Sequence, residues 1–250
     1  MKKHLPNFIT LLNLFSGCIA VIFAMQNNFV LASFFVFAGI FFDFFDGLVA
    51  RKLGVQSEMG IQLDSLADLV TSGVVPGLIM FKLISMTVDN SSFVSVSDSW
   101  DSLIHFRGMK MNVLPLIGLF VPLASAYRLA RFNLDEDQQT YFKGLPTPAN
   151  TLLIVSLPLI LEYQNNDLMN SIILSKAFLI SLTLVSCYLL NSNIKLFALK
   201  FKNWSFKNNA VRYIFLVLSF ITLVIFQFAA IPLIILYYLV LSLLDKQNIK

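Results

Sequence analysis

Four aspartates combine type and spacing in a way that could do chemistry: Asp43 and Asp46, three apart, and Asp64 and Asp68, four apart. On helices each pair projects from one face. Both pairs lie at the ends of long apolar segments, where an acidic side chain is costly and marks function. Carboxylates converging at reduced dielectric repel one another, and a divalent cation removes that conflict. Hard oxygen donors suit magnesium, manganese or calcium rather than zinc, since no Cys or His stands nearby. Four separate aspartates capping helix ends in water would not need this pairing. The intervening residues extend the site. Gly47 and Ala50 are one turn apart and leave a groove beside the carboxylates, and Arg51 follows as a rigid cation suited to phosphate oxygens. Gly60, one turn before Asp64, lets backbone approach a ligand closely. Carboxylates, a metal, small residues and an arginine describe a site for a diphosphate whose lipid tails stay in the bilayer. Glu58 belongs to the loop between the pairs and reads as a solvated charge.

The elements that must position these residues are membrane helices. The chain has 250 residues, 57% hydrophobic and 13% charged, too little polar surface to cover a soluble globule. Apolar runs near 8–25, 29–50, 60–86, 113–131, 149–162, 171–190, 211–227 and 229–244 predict an all-α integral membrane protein, a bundle of about eight transmembrane helices. The last two come from one run too long for a single span, broken around Gln227–Pro232. The first is a retained helix rather than a cleaved signal, because no small-residue cleavage site follows it. With this register 14 of the 18 Lys and Arg residues fall on the side of the two termini, which places both termini in the cytoplasm. The Ser- and Asp-rich stretch 88–111 is then an external loop. The basic, aromatic stretch 194–211 is a cytoplasmic loop lying near anionic headgroups. Residues 1–190 read as the catalytic transmembrane domain, and 191–250 as the basic loop plus two C-terminal helices.

Other classes fall away. The net charge of +4 comes from scattered residues and makes no basic face with interleaved aromatics, so nucleic acid is not a partner. Cys18 and Cys187 both sit in apolar runs and offer neither a disulfide framework nor a metal spacing. His4 and His105 fall on opposite sides of the membrane in this register and cannot serve the site.

The arrangement D43-x2-D46-G47-x2-A50-R51-x8-G60-x3-D64-x3-D68 resembles, at every fixed position, the signature of the CDP-alcohol phosphatidyltransferase family. PNFITLLNLFSG at 6–17, DSLADLV at 64–70, AYRLARFN at 126–133 and FKGLPTPAN at 142–150 bring it closest to members that use serine as acceptor. These stretches cover about the first 150 residues. The chain departs from the expected pattern at Ser72, where an aromatic is usual, and at Val75, where a small residue is usual. Both changes alter packing behind the site and touch no metal ligand.

The resemblance implies roles. Asp43, Asp46 and Asp64 would hold one or two divalent ions, with Asp68 contributing to the second and acting as general base. Gly47, Ala50, Arg51 and Gly60 would line the pocket for the CDP-lipid. Thr10 and Asn13 would either add hydrogen bonds to the nucleotide or serve as interhelical polar contacts. Arg128, Arg131 and Lys143 would bind the acceptor, against the competing reading of positive-inside anchors. Pro146 and Pro148 would shape a tight loop. The reaction implied is transfer of the phosphatidyl group from CDP-diacylglycerol to L-serine with release of CMP, in a homodimer of the bacterial inner membrane. Two alternatives stay open at the level of residues. One is transfer to another alcohol, such as glycerol 3-phosphate or an inositol phosphate. The other is a cation- or proton-coupled transporter, against which the edge position of the aspartates and the absence of an acidic pair in the second half both speak.

Overall fold

The computed structural model describes residues 4–88, 112–134, 141–164, 166–197 and 206–244. Residues 89–111 of the expected external loop, His105 among them, and 198–205 of the basic stretch lie outside the described residues.

Two long helices open the chain, α1 (Leu5–Met25) and α2 (Phe29–Leu53). Asn28 caps α2 by accepting from Leu31 N at 3.1 Å, and Gly54 ends it in the left-handed region at φ 63. That conformation costs glycine nothing, and it turns the chain back within four residues. Ser57 caps α3 (Glu58–Asp68) by accepting from Gly60 N at 3.1 Å. Directly after Asp68 the helix widens into a π segment, Leu69–Val74, before continuing as α4 (Val75–Val88). A 3-10 turn, Leu114–Leu119, leads into α5 (Phe120–Leu134). Then follow strand β1 (Tyr141–Lys143), α6 (Thr147–Tyr163), α7 (Asp167–Ile173) and α8 (Lys176–Asn191). Strand β2 (Lys195–Phe197), α9 (Phe206–Phe226) and α10 (Ala230–Leu244) complete the chain.

The helices fall on the expected apolar runs. Among the described residues, four stretches have the length and hydropathy of a span: Leu5–Met25, Phe29–Leu53, Glu58–Val88 and Asn209–Leu244. The pair α7 and α8, bent by 61°, makes a fifth. Helices α5 and α6, at 15 and 17 residues, are shorter than a full span. The expected break in the final run falls at a 3-10 turn, Gln227–Ala229, where Gln227 takes φ 48. The side chain of Gln164 ties that turn by accepting from Ala229 N at 2.9 Å and donating to Phe226 O at 2.8 Å. Phe215 and Tyr238 then approach to 5.8 Å between ring centroids, which a continuous helix forbids, so α9 and α10 fold back on each other.

The architecture is all-α as expected, with one short ribbon added among the described residues. Strands β1 and β2 form an antiparallel ribbon, Tyr141 opposite Phe197 and Lys143 opposite Lys195.

The core is made mainly by α1, α2, α4, α6 and α8, with Ala20, Val36, Ile79, Met80, Ile154 and Leu179 fully buried. Large apolar side chains such as Phe8, Phe15, Phe34, Phe41, Phe220 and Val224 face outward. An outward apolar surface this extensive is what a lipid solvent requires, and the protein is an integral membrane protein.

Candidate active site

Helix α1 packs along α2 and also against α3 and the π segment. The close approach depends on small residues. A Cβ at Gly17 would stand 2.4 Å from Thr71 Oγ1, and one at Gly39 would stand 2.6 Å from Thr71 Cγ2. The three elements therefore meet at Thr71, one turn beyond Asp68. Thr71 Oγ1 lies 2.8 Å from Asn13 Oδ1, and Asn13 Nδ2 donates to Asp68 Oδ1 at 3.2 Å. Farther along α1, Thr10 Oγ1 donates to Asp46 Oδ2. Thr10 and Asn13 are both buried and hold two of the four carboxylates. Thr10 also borders the cavity beside them.

Ligand oxygens of Asp43, Asp64 and Asp68 all lie within 4.8 Å of one another. Asp46, one turn beyond Asp43, stands beside this cluster rather than within it, turned toward Thr10. Asp64 Oδ1 is buried and, among the described residues, has no hydrogen-bond partner. Buried oxygens are rarely left in that state. A buried acceptor without a donor, in a cluster of hard oxygen ligands, fits a divalent cation.

Two cavities flank the carboxylates. The smaller, about 230 Å³, is lined by Pro6, Asn7 and Thr10 of α1, by Asp46, Gly47, Ala50 and Arg51 of α2, by Val55, Gln56 and Ser57 of the loop, and by Gly60, Ile61 and Asp64 of α3. A Cβ at Gly47 would meet only the Arg51 guanidinium, at 3.9 Å, so the wall is open there. A Cβ at Gly60 would crowd Ser57 Oγ at 3.2 Å and Asn7 Oδ1 at 3.4 Å. The larger cavity, about 610 Å³, shares Asp46, Gly47, Arg51, Ile61 and Asp64 and adds Asp43, Asp68, Arg128, Asn133 and the loop Pro146–Pro148, with Phe44, Leu129 and Phe132 as apolar wall.

The cationic residues separate. Arg128 is buried, borders the larger cavity, donates to Thr147 Oγ1 at 3.4 Å and stacks 5.9 Å from the Phe132 ring centroid. Its Nε is buried without a partner among the described residues. Arg131 and Lys143 line a small adjoining recess with Arg128, where Arg131 donates to Asn193 Oδ1 at 2.7 Å and to Asn191 O at 3.4 Å. Ser72 and Val75, the departures from the family pattern, are buried behind the site, and Ser72 O accepts from Thr151 Oγ1 at 2.9 Å.

Several residues at the site carry no mark in the sequence. Thr71, Asn133, Thr147 and Ser65, which borders the larger cavity and accepts from Asn133 Nδ2 at 2.9 Å, are ordinary polar residues in apolar or loop surroundings. The stretches DSLADLV, AYRLARFN and FKGLPTPAN contain three of them and offered the available signal.

A membrane bundle carrying clustered carboxylates between two cavities has the parts that a lipid-modifying transferase needs, and the comparisons give the class. The sequence model of the CDP-alcohol phosphatidyltransferase family matches residues 3–189, and the chain belongs to that family. It is 32% identical over 159 residues to a CDP-diacylglycerol–serine O-phosphatidyltransferase of Bacillus subtilis (strain 168), covering 62% of this chain and 75% of that protein. A protein of the same description from Helicobacter pylori (strain ATCC 700392 / 26695) is 31% identical over 218 residues, 86% of this chain and 81% of that one. One from Methanocaldococcus jannaschii is 30% identical over 182 residues, 73% and 71%. Family membership decides for a transferase over a transporter.

Proposed function

We propose that this chain transfers the phosphatidyl group of CDP-diacylglycerol to the hydroxyl of L-serine, giving phosphatidylserine and CMP. The observation that carries this reading is a row of carboxylates with a cavity on each side, Asp46, Gly47, Arg51 and Asp64 bordering both. The smaller cavity, polar at Asn7, Gln56 and Ser57, takes the nucleotide. The larger one, part apolar and holding Arg128, takes the glycerol end of the lipid and the serine. The diphosphate lies across the row, with Gly47, Ala50 and Gly60 leaving it room and Arg51 reaching its oxygens.

Asp43, Asp64 and Asp68, joined by Asp46, would hold the divalent ion, magnesium or manganese before calcium. When bound, such an ion neutralises diphosphate charge and makes CMP a better leaving group. The serine hydroxyl oxygen attacks the lipid-side phosphorus, the P–O bond to CMP breaks, and CMP leaves with the bridging oxygen. The hydroxyl proton passes to the Asp68 carboxylate, whose Oδ1 is held by Asn13. A carboxylate is a weak base, so this transfer comes late, once the alcohol has become acidic. Arg128 pairs with the serine carboxylate, and Arg131 and Lys143 support that side from the recess. The enzyme works as a homodimer of eight-span protomers, with residues 191–250 appended to the catalytic domain. The site faces the cytoplasm at a bacterial inner membrane, a reading supported by the distribution of Lys and Arg.

Purified protein given CDP-diacylglycerol, magnesium or manganese and labelled serine should release CMP and form labelled lipid. A chelator should stop both, and added metal should restore them. Asp68→Asn should lose about 10²–10⁴-fold in turnover while retaining CDP-lipid binding. A near-normal rate would remove Asp68 as base. Product with glycerol 3-phosphate and none with serine would replace the acceptor and keep the chemistry.

A further inference from the structure

The acceptor side of the larger cavity rests on a loop, and that loop is held by the end of α8 and by elements beyond residue 189, where the family match ends. Pro146, Thr147 and Pro148 line the cavity, and Thr147 Oγ1 accepts from Arg128. Just before them, Leu145 N donates to Leu189 O and Gly144 N to Ile194 O, each at 2.9 Å. Gly144 takes φ 75, and a Cβ there would stand 2.6 Å from Leu190 O, so only glycine lets the loop lie this close to the end of α8. The same loop continues from β1, which pairs with β2.

Strand β2 is held in turn by the folded-back pair α9 and α10. Tyr238 Oη donates to Phe197 O at 3.0 Å, and Phe197 N donates to Ser242 Oγ at 3.4 Å, so two side chains of α10 take both backbone groups of the last β2 residue. The Phe197 ring, 2% exposed, meets Phe215 of α9 and Tyr238 edge-on, at 5.7 and 5.0 Å. Ile235 closes a small core with Leu145, Leu153 and Leu196, which ties the loop, α6 and β2 to α10 directly.

We propose that the C-terminal helix pair is a bracket for the acceptor side of the site, with Tyr238 as a positioning residue: it holds Phe197, the ribbon holds the loop over 144–148, and the loop sets Thr147 against Arg128. This rests on the reading of the Arg128 side as the acceptor pocket. A lost bracket would let the loop drift and weaken acceptor binding, while the nucleotide side, built by α1, α2 and α3, keeps its geometry.

Tyr238→Phe keeps the ring packing and removes only the hydroxyl. The KM for serine should rise about three- to tenfold, the scale of one lost hydrogen bond, with the KM for CDP-diacylglycerol unchanged. Ser242→Ala should move the serine KM in the same direction by less. Equal changes in both KM values, or neither KM moving while the unfolding temperature or kcat falls, would reduce the pair to a general stabiliser and overturn the proposal. Wild-type protein run alongside separates the two readings. If it makes no lipid from serine, the acceptor assignment has failed, and the KM split is read with the alcohol that does support CMP release.

Discussion

Asp68 Oδ1 only accepts, so the Asn13 amide turns its nitrogen to it, 3.2 Å away, and its oxygen is left to accept from Thr71 Oγ1 at 2.8 Å. The Thr71 hydroxyl holds the amide in that setting from behind. Asp68 is thereby fixed in rotation, with one oxygen engaged. Partners of this kind, which orient a ligand without touching the substrate, are typically worth about 10–100-fold in activity or metal affinity. Thr71→Ala should therefore lower kcat by about 10–100-fold with little change in the KM for CDP-lipid, and Thr71→Ser should recover most of the loss. Steady-state kinetics at saturating metal checks this, and a Thr71→Ala enzyme with wild-type kcat would show that Asp68 is oriented by other groups. Asp68 is visible in the sequence because a carboxylate in an apolar helix has few ordinary explanations. Thr71 is not, because a threonine in such a helix usually bonds its own backbone.

At the scale of elements, the π segment and the glycines opposite it bring α1, α2 and α3 to one point. A wide turn leaves carbonyls without their usual donors, and Thr151 of α6 supplies one to Ser72 O. The two glycines matter by their lack of bulk. Gly39→Ala would place a Cβ 2.6 Å from Thr71 Cγ2 and 2.8 Å from Asn13 Oδ1, and forcing the helices apart should cost about 1–3 kcal/mol. Thermal unfolding in detergent should fall for Gly39→Ala. Gly47→Ala, whose new methyl meets only Arg51, should leave the unfolding temperature where it is. A Gly39→Ala protein as stable as wild type would mean that the packing at Thr71 relaxes freely.

Over the whole molecule, solvent decides the arrangement. Long apolar helices present Phe, Leu and Val outward, while the polar residues Thr10, Asn13, Thr71, Asn150 and Thr151 are buried between helices. Two of these polar residues, Thr10 and Asn13, bond the carboxylates of Asp46 and Asp68 directly. The turn between α2 and α3, which borders the smaller cavity, should face the cytoplasm. In a background with Cys18 and Cys187 replaced by serine, Lys52→Cys should react with an impermeant maleimide only from the cytoplasmic face of oriented vesicles. Labelling from the opposite face alone would invert the bundle and move the active site across the membrane.

By itself the sequence determined the membrane character, the apolar runs on which the helices form, the pairing of the aspartates and the family. Each depends on local composition or fixed spacing: a long apolar run favours a helix in lipid, and aspartates three or four apart share a helical face. It also located the break in the last apolar run, at a point where Gln227 interrupts the hydrophobic residues. Tertiary structure alone decided how the four aspartates divide, with Asp43, Asp64 and Asp68 clustered and Asp46 turned to Thr10. It alone decided that Thr10 and Asn13 hold carboxylates, that Arg128 enters the cavity while Arg131 is tied to the end of α8, and that β1 pairs with β2 across more than fifty residues. These are contacts between segments far apart in the chain. They depend on which side chains two packed surfaces bring within hydrogen-bonding reach, and neither surface alone carries that information.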